Sequence, residues 1–229
     1  MAASVKFFYD ISSFPSWILF EHLFAAHRTT GLSVHLKPIR SAALYSMTGH
    51  KDPYYIVPFR NFIFKEVEQL SELFGVPAAL PTDCEKRLSS PGTLRAQNFL
   101  AHVQIKHPEC LEVASRLLWK RLWIQDLELQ SEEDFHEVVR EACLASNVPL
   151  SENFESLSQL KINETEAFNS GAYTTPFCIV DYEDETSSFH GVDRWPIIAR
   201  KAGLDSPHRG FYSLKAFNHL FFKALETSD

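Results

Sequence analysis

The first forty residues carry a pattern of apolar and polar positions that predicts a strand, a helix and a second strand. Residues 5–9 (VKFFY) are mostly apolar and aromatic, as in a strand buried within a sheet. Trp17, Phe20 and Phe24 then recur at helical spacing on one face. The run Ser33–Pro38 has the length of another strand. Two strands joined by a helix are most simply a parallel βαβ unit.

The middle of the chain, from about residue 60 to residue 170, has mainly helical periodicity. One helix is predicted to begin at Ser90, with a proline tolerated in its first turn. Another is predicted to begin at His107, followed by acidic residues that suit the positive end of a helix. Ser131 heads a capping-box sequence, which predicts a third. We expect no strand in this segment.

Strand character returns near the carboxyl end. Residues 177–180 are apolar, residues 181–187 read as an acidic turn, and residues 188–190 are expected to pair back as a hairpin. Helical spacing follows over residues 194–202 and again over residues 212–225. The second half of the chain therefore supplies two more strands and further helices.

Taken together, these elements predict an α/β protein with a thioredoxin-like fold that is interrupted by an all-helical insertion domain. The order of elements is βαβ, then a block of helices, then ββα. We assign residues 1–60 and 171–229 to the thioredoxin-like domain and residues 61–170 to the helical insertion.

Composition narrows the class of function. The net charge is −7, which argues against a protein that binds a nucleic-acid backbone. The most apolar stretch is interrupted by Glu21 and His22, so we expect no membrane span. The histidines form no ligand-spaced cluster, so we expect no metal. Four scattered cysteines are interpreted as small buried apolar residues. No targeting signal is legible at either terminus.

The turn after the first strand is the first candidate for chemistry. In thioredoxin folds a CxxC motif sits there, and the helix amino terminus stabilises the thiolate. Here Ser13 and Ser16 have that spacing, with Pro15 between them. A hydroxyl at Ser13 can donate a hydrogen bond to a thiolate that a ligand brings. Lowering a thiol pKa by about two units needs roughly 2.7 kcal/mol. Local sequence alone favours the simpler reading, in which Ser13 acts only as a helix N-cap.

Two later motifs converge on the same place if the fold is right. Thr175 precedes Pro176 at a strand entrance, where a thioredoxin fold has a cis-proline that offers backbone groups to a bound cysteine. Read by itself, this proline is an ordinary trans edge residue. Asp193 and Arg194 lie at a hairpin-to-helix junction and suit an ammonium and a carboxylate. Asp193 alone is equally a helix cap.

These motifs together resemble the kappa-class glutathione transferases, relatives of DsbA and of bacterial 2-hydroxychromene-2-carboxylate isomerase. The resemblance runs from about residue 5 to residue 202. The residues that carry it, in order along the chain, are Phe8-Tyr9-Asp10, Ser13, Ser16-Trp17, Gly92-Thr93-Leu94, Phe99-Leu100, His107-Pro108-Glu109, Ala114-Ser115-Arg116, Leu118-Trp119, Leu122-Trp123, Gly171-Ala172-Tyr173 and Gly191, Asp193 and Arg194.

The resemblance implies an enzyme that holds glutathione as its thiolate, without a metal, for conjugation to small hydrophobic electrophiles or reduction of peroxides. Ser13 is the implied catalytic residue. A homodimer is implied, in a mitochondrion or peroxisome, with the cytoplasm also open. A glutathione-dependent isomerase of the chromene-carboxylate type and a non-catalytic chaperone or adaptor remain alternatives. The implied glutathione-binding residues are Ser13, Phe14, Pro15, His50, Thr175, Pro176, Val192, Asp193 and Arg194.

Three of these positions depart from the pattern of the class. The usual Ser-Pro-Tyr-Ser is replaced by residues 13–16 (SFPS), so a tyrosine is missing. His50 replaces an asparagine and Val192 replaces a serine. Each lost side-chain hydrogen bond corresponds to about 0.5–1.5 kcal/mol, so weaker glutathione binding or a different substrate preference is expected.

Overall fold

The structure is a computed structural model, and its described residues contain one mixed sheet of four strands. The strands are β1 (Ser4–Tyr9), β2 (Ser33–Pro38), β3 (Phe177–Tyr182) and β4 (Glu185–His190), in the order β2-β1-β3-β4. β1 pairs with β2 in parallel and with β3 antiparallel, and β3 pairs with β4 antiparallel. The described residues are 3–76, 78–88, 90–129, 131–146 and 157–204.

Helix α1 (Phe14–Thr30) is the βαβ crossover, and α2 (Ser41–Thr48) follows β2. Between α2 and β3 the described residues contain only helices and turns, and after β4 the short α9 follows a 3₁₀ turn, Val192–Arg194. The remaining helices are α3 (Val57–Phe74), α4 (Cys84–Leu88), α5 (Ser90–Lys106), α6 (Leu111–Trp123), α7 (Glu132–Ser146), α8 (Leu157–Asn169) and α9 (Trp195–Lys201).

β1 is mostly apolar because both faces of the sheet are covered, and only Ser4 and Lys6 in its first half are partly exposed. Phe7 and Tyr9 point into the larger apolar core with α1, α5 and α6. Phe8 points the other way, into a smaller cluster that includes Leu44 of α2 and Phe177 of β3. Successive residues of a strand alternate between faces, so three adjacent aromatic residues serve two cores.

The inserted helices are packed against the sheet through α6. The Trp119 ring lies 5.2 Å from the Tyr9 ring and 4.9 Å from the Phe20 ring, centroid to centroid. The Tyr9 hydroxyl is also hydrogen-bonded to the Ser115 hydroxyl at 2.6 Å. Aromatic side chains bury large apolar areas, so these contacts join the helical segment firmly to the sheet.

The fold class predicted from the sequence is confirmed, as are the first two strands. Helix α1 has Gly31 as its C-cap, with a φ of 74°. The capping box at Ser131 is also present. The Ser131 hydroxyl accepts from the Asp134 amide at 3.2 Å, and the Asp134 carboxylate accepts from the Ser131 amide at 2.8 Å. The domain boundaries at residues 60/61 and 170/171 stay predictions.

Several predicted boundaries were wrong. The hairpin turn spans only residues 183–184 rather than 181–187, because β3 and β4 continue pairing to Tyr182 and Glu185. Pro108–Cys110 is a 3₁₀ turn, so α6 begins at Leu111 rather than at His107. Likewise, α9 begins one residue later than predicted, after the 3₁₀ turn. Helix α2 was not predicted at all. The predicted helix at residues 212–225 lies outside the described residues.

Two of the cysteines, Cys110 and Cys178, are buried as predicted, whereas Cys84 is only half-buried. The side chain of Cys143 lies outside the described part of the structure. Within the described ranges, no helix is long and apolar enough to cross a membrane.

His22 of α1 links the stability of this fold to pH. Its ring packs against Phe74 of α3 and Trp195 of α9, with centroids 5.4 and 5.6 Å away. Its Nδ1 lies 2.7 Å from the Ile18 carbonyl oxygen. Burial lowers the pKa of His22, so the folded chain favours the neutral ring.

We therefore expect the free energy of unfolding to fall as the pH drops below about 6.5, because the unfolded chain then binds a proton that the folded chain resists. His22→Leu should reduce this slope by up to about 1.4 kcal/mol per pH unit. Urea denaturation at a series of pH values measures it. The control is His35→Gln, at an exposed position, and an unchanged slope in His22→Leu would contradict the assignment.

Candidate active site

The turn between β1 and α1 places the Ser13 hydroxyl at a helix amino terminus. Ser13 is the N-cap of α1, and its Oγ accepts from the Ser16 backbone N–H at 3.3 Å. Helix amino termini carry a partial positive charge and unpaired N–H groups, so this hydroxyl sits where an anion is favoured. Pro15 occupies the first turn, where its missing N–H costs no helical hydrogen bond.

The second loop lies directly opposite. Ser13 Oγ donates to the Thr175 carbonyl oxygen at 3.4 Å, although the two residues are 162 positions apart. The Thr175–Pro176 peptide bond is cis. The sequence expectation that the serine turn and the proline loop would face each other is therefore met. Two short loops from opposite ends of the chain meet because β1 and β3 are neighbours in the sheet.

A cavity of about 180 Å³ opens above these two loops. Its floor is polar, formed by both loops and by Ser41 at the start of α2. One wall is apolar and comes mainly from α3 and the end of α6. The apolar residues of that wall are Phe14, Ile63, Val67, Leu70 and Trp123.

Two tyrosines line the same cavity and were not found from the sequence. The Tyr45 hydroxyl is 3.2 Å from the Thr174 hydroxyl, and the Tyr54 hydroxyl donates to the Ser12 carbonyl oxygen at 3.1 Å. Burial raises the pKa of Tyr45 to about 12 and that of Tyr54 well above 10, so both remain neutral donors at physiological pH. Tyr45 belongs to the unpredicted α2, and no spacing in the sequence singles either residue out.

Glu66 of α3 also lines the cavity and was not predicted. Its pKa is raised, first by burial and second by the negative charge of Asp193. Asp193 thus acts on the cavity electrostatically, although it is not among the residues that line it. The carboxylate of Asp193 is exposed and is paired with the Arg194 guanidinium.

The predicted glutathione-binding residues divide into two groups. Ser13, Phe14, Pro15 and Thr175 line the cavity. Pro176 is buried directly behind Thr175, and Val192 is buried at the start of the 3₁₀ turn. His50 is exposed, with its Nδ1 2.8 Å from the Thr48 hydroxyl and its ring 6.5 Å from that of Tyr173. The structure thus brings the first group together, whereas the second group does not line the cavity; it consists of Pro176, His50, Val192, Asp193 and Arg194.

The described part of the chain does not offer a thiolate of its own here. No cysteine lines the cavity. Burial raises the pKa of the Cys178 thiol and that of the Cys84 thiol, which keeps both protonated. Among the described residues no group of His, Cys, Asp and Glu side chains is arranged to hold a metal ion.

Comparison with known proteins fits this geometry. A model of the DSBA-like thioredoxin domain family matches residues 4–202. The chain belongs to this family. It is 28% identical over 204 residues to glutathione S-transferase kappa 1 of Rattus norvegicus, covering 87% of this chain and 90% of the relative. It is 26% identical over 205 residues to glutathione S-transferase kappa 1 of Homo sapiens, covering 87% and 91%.

A solved structure has a fold similar to that of this DSBA-like chain. It is that of 2-hydroxychromene-2-carboxylate isomerase, with a TM-score of 0.64 at 16% identity over 99% of this chain and 100% of that one. At this identity the likeness concerns the fold alone. The curated relatives carry the class name that the sequence motifs predicted.

As the N-cap of α1, Ser13 should contribute to stability in this DSBA-like chain apart from any chemistry. Ser13→Ala is expected to lower the free energy of unfolding by about 1 kcal/mol, because the Ser16 N–H loses its side-chain acceptor and keeps only the Ser13 backbone carbonyl. Ser13→Asp should stay close to the wild type, since aspartate is also a good N-cap. Urea unfolding measures both. Equal stability of wild type and Ser13→Ala would show that the cap does not contribute.

Proposed function

We propose that the chain is a glutathione transferase of the kappa type, which binds glutathione with its sulfur at Ser13. The observation that carries this proposal is the Ser13 hydroxyl at the start of a 17-residue helix, facing the carbonyl of a residue that precedes a cis-proline. The names of the curated relatives support it. The sulfur comes from the ligand because no cysteine lines the described cavity.

The hydroxyl of Ser13 is suited to hold a thiolate. Its present hydrogen bond to the Thr175 carbonyl is long, at 3.4 Å, so turning the proton towards a sulfur loses little. The Ser16 N–H and the helix dipole add to the stabilisation of negative charge. The Thr175 backbone groups are placed to pair with the cysteinyl unit of glutathione, as in the addition of a short strand. Asp193 is the group of suitable charge for the γ-glutamyl ammonium.

The reaction needs only this activation and a nearby electrophile. The thiol proton leaves to solvent, and the thiolate attacks an electrophilic carbon. A carbon–sulfur bond forms while the leaving group, such as chloride, departs with its electron pair. In peroxide reduction, the thiolate attacks one oxygen atom, so that an S–O bond forms while the O–O bond breaks and an alkoxide leaves. The resulting sulfenic acid of glutathione then reacts with a second glutathione to give the disulfide and water. Tyr45 is a neutral hydroxyl donor for the departing alkoxide, whereas the Tyr54 proton is held by the Ser12 carbonyl.

The apolar wall indicates the class of the second substrate. Ile63, Val67 and Leu70 present a helical stripe of α3 to the cavity, with Phe14 and Trp123 beside it. Apolar and aromatic surfaces favour a small hydrophobic electrophile over a charged one.

The isomerase alternative shares the same sulfur site and differs in the acceptor. The isomerase structure whose fold matches is a reason to test it, although that likeness reports the fold alone. Calorimetry separates the cases: tight glutathione binding without conjugation favours isomerisation, and no binding favours an adaptor. The two cavity tyrosines weigh against the adaptor, because they bring hydroxyl groups to the site although the turn motif lacks its tyrosine.

The homodimer and the mitochondrial or peroxisomal location stay predictions of the resemblance. For the dimer, the support is a group of four large apolar side chains near the start of α3, each at least half exposed. They are Tyr55, Val57, Phe59 and Phe62.

The thiolate role of Ser13 is tested by comparing two variants with the wild type. Ser13→Ala should raise the pKa of bound glutathione by one to two units, about 1.4–2.7 kcal/mol, because a donor to the sulfur is lost. Ser13→Asp should preserve the fold and abolish thiolate formation, because its carboxylate repels the sulfur anion. Thiolate absorbance and conjugation of chlorodinitrobenzene against pH measure both. Equal turnover by wild type and Ser13→Ala would contradict the proposal.

The acceptor wall is tested separately with Ile63→Ser. Removing apolar surface from the wall should raise the KM for a hydrophobic electrophile by about tenfold, since burying such a side chain contributes on the order of 1.5 kcal/mol. The Kd for glutathione should not change. Leu73→Ser, an exposed position on the same helix that does not line the cavity, is the matched control. A rise in the glutathione Kd alone would contradict the assignment of the wall.

A further inference from the structure

The Asp10 carboxylate lies beneath the candidate site and is only 2% exposed. Its Oδ1 accepts from the Ser12 backbone N–H at 3.0 Å and from the Gln97 side-chain amide at 2.9 Å. Its Oδ2 accepts from the Ser41 backbone N–H at 2.7 Å. Asp10 is not among the residues that line the cavity. One buried side chain therefore joins the serine turn, the start of α2 and helix α5.

The bond to Ser41 continues to the proline loop. The Ser41 hydroxyl is 2.7 Å from the Thr175 hydroxyl, and this pair is buried. The Thr175 carbonyl in turn accepts from Ser13 at 3.4 Å. The two loops of the site are thus connected twice, once directly and once underneath through Asp10 and Ser41.

We infer that Asp10 is a positioning residue that fixes the Thr175 loop relative to Ser13 for glutathione binding, through Ser41. The inference rests on the proposed function and goes beyond it, because it assigns a role to a side chain outside the cavity. Hydrogen bonds to a carboxylate are roughly twice as strong as neutral ones. Asparagine has nearly the same shape but sets an N–H₂ group against one of the N–H donors. The start of α2, and with it Thr175, then loses its anchor.

A merely structural role for Asp10 predicts something different. Loss of general stability would weaken the fold without changing the affinity of the folded protein for glutathione. It would also act independently of the Ser41 hydroxyl. Coupling between the two positions in glutathione affinity is therefore the distinguishing measurement, because residues that act through one another give non-additive effects.

The experiment measures the glutathione Kd by calorimetry for wild type, Asp10→Asn, Ser41→Ala and the double variant. Each single change is expected to weaken binding about tenfold, and the double variant also about tenfold rather than about hundredfold. The missing factor of ten corresponds to about 1.4 kcal/mol of coupling. Unchanged affinity in Asp10→Asn, or effects that multiply in the double variant, overturn the inference.

Glu21→Gln is the matched control. Glu21 is also a buried carboxylate with three N–H donors, from the Trp17 indole and the Arg116 guanidinium, but it lies farther along α1. Its substitution should lower stability and leave the glutathione Kd unchanged. A Kd raised as much as in Asp10→Asn would show a general effect of burial and overturn the inference.

Two outcomes keep the inference separate from the proposed function. If the wild type does not bind glutathione, the proposed function and the inference both fall. If the wild type binds and Asp10→Asn does not fold, Ser41→Ala decides, because it removes the bond to Thr175 and leaves all three bonds of Asp10 in place. Binding weakened about tenfold then supports the inference, and wild-type affinity overturns it.

Discussion

The candidate site depends on the pairing of β1 with neighbours on both sides. The parallel partner, β2, brings the start of α2 to the end of β1, and the antiparallel partner, β3, brings the loop before Phe177 to the same place. The serine turn, the start of α2 and the loop before Phe177 therefore meet at the same end of the sheet's strands. The amino terminus of α1, which carries a partial positive charge, points to this place. A hydroxyl there therefore lies where an anion is stabilised.

The two parts of the fold contribute different sides of the cavity. The sheet and its loops supply polar groups with fixed directions, namely the Ser13 hydroxyl and the Thr175 backbone. The segment between β2 and β3 supplies the two tyrosines and most of the apolar wall, to which α1 adds Phe14. Under the proposed function, a change in α3 therefore acts on the acceptor side of the cavity and leaves the Ser13 side in place. This separation is physically reasonable because hydrogen bonds need exact directions and apolar contacts do not.

The structure shows where the cavity obtains hydroxyl groups although the serine turn lacks the tyrosine that is usual in the kappa class. Pro15 in the turn cannot donate a hydrogen bond, but Tyr45 and Tyr54 bring hydroxyls to the cavity from α2 and from the turn before α3. Both hydroxyls bond to the site loops themselves. The cavity therefore has hydroxyl groups from elements outside the serine turn. The turn motif by itself does not reveal them.

The sequence by itself determined the fold class, the first βαβ unit, the N-cap at Ser13 and the likeness that names Thr175 as its partner. These follow from local periodicity, capping chemistry and linear motifs, all of which act over a few residues. Only the tertiary structure decided that Tyr45, Tyr54 and Glu66 line the cavity, that His50 does not, and that Asp10 ties the loops together. The reason is that these contacts join segments many residues apart, and their geometry is fixed by how strands and helices pack rather than by any pattern along the chain.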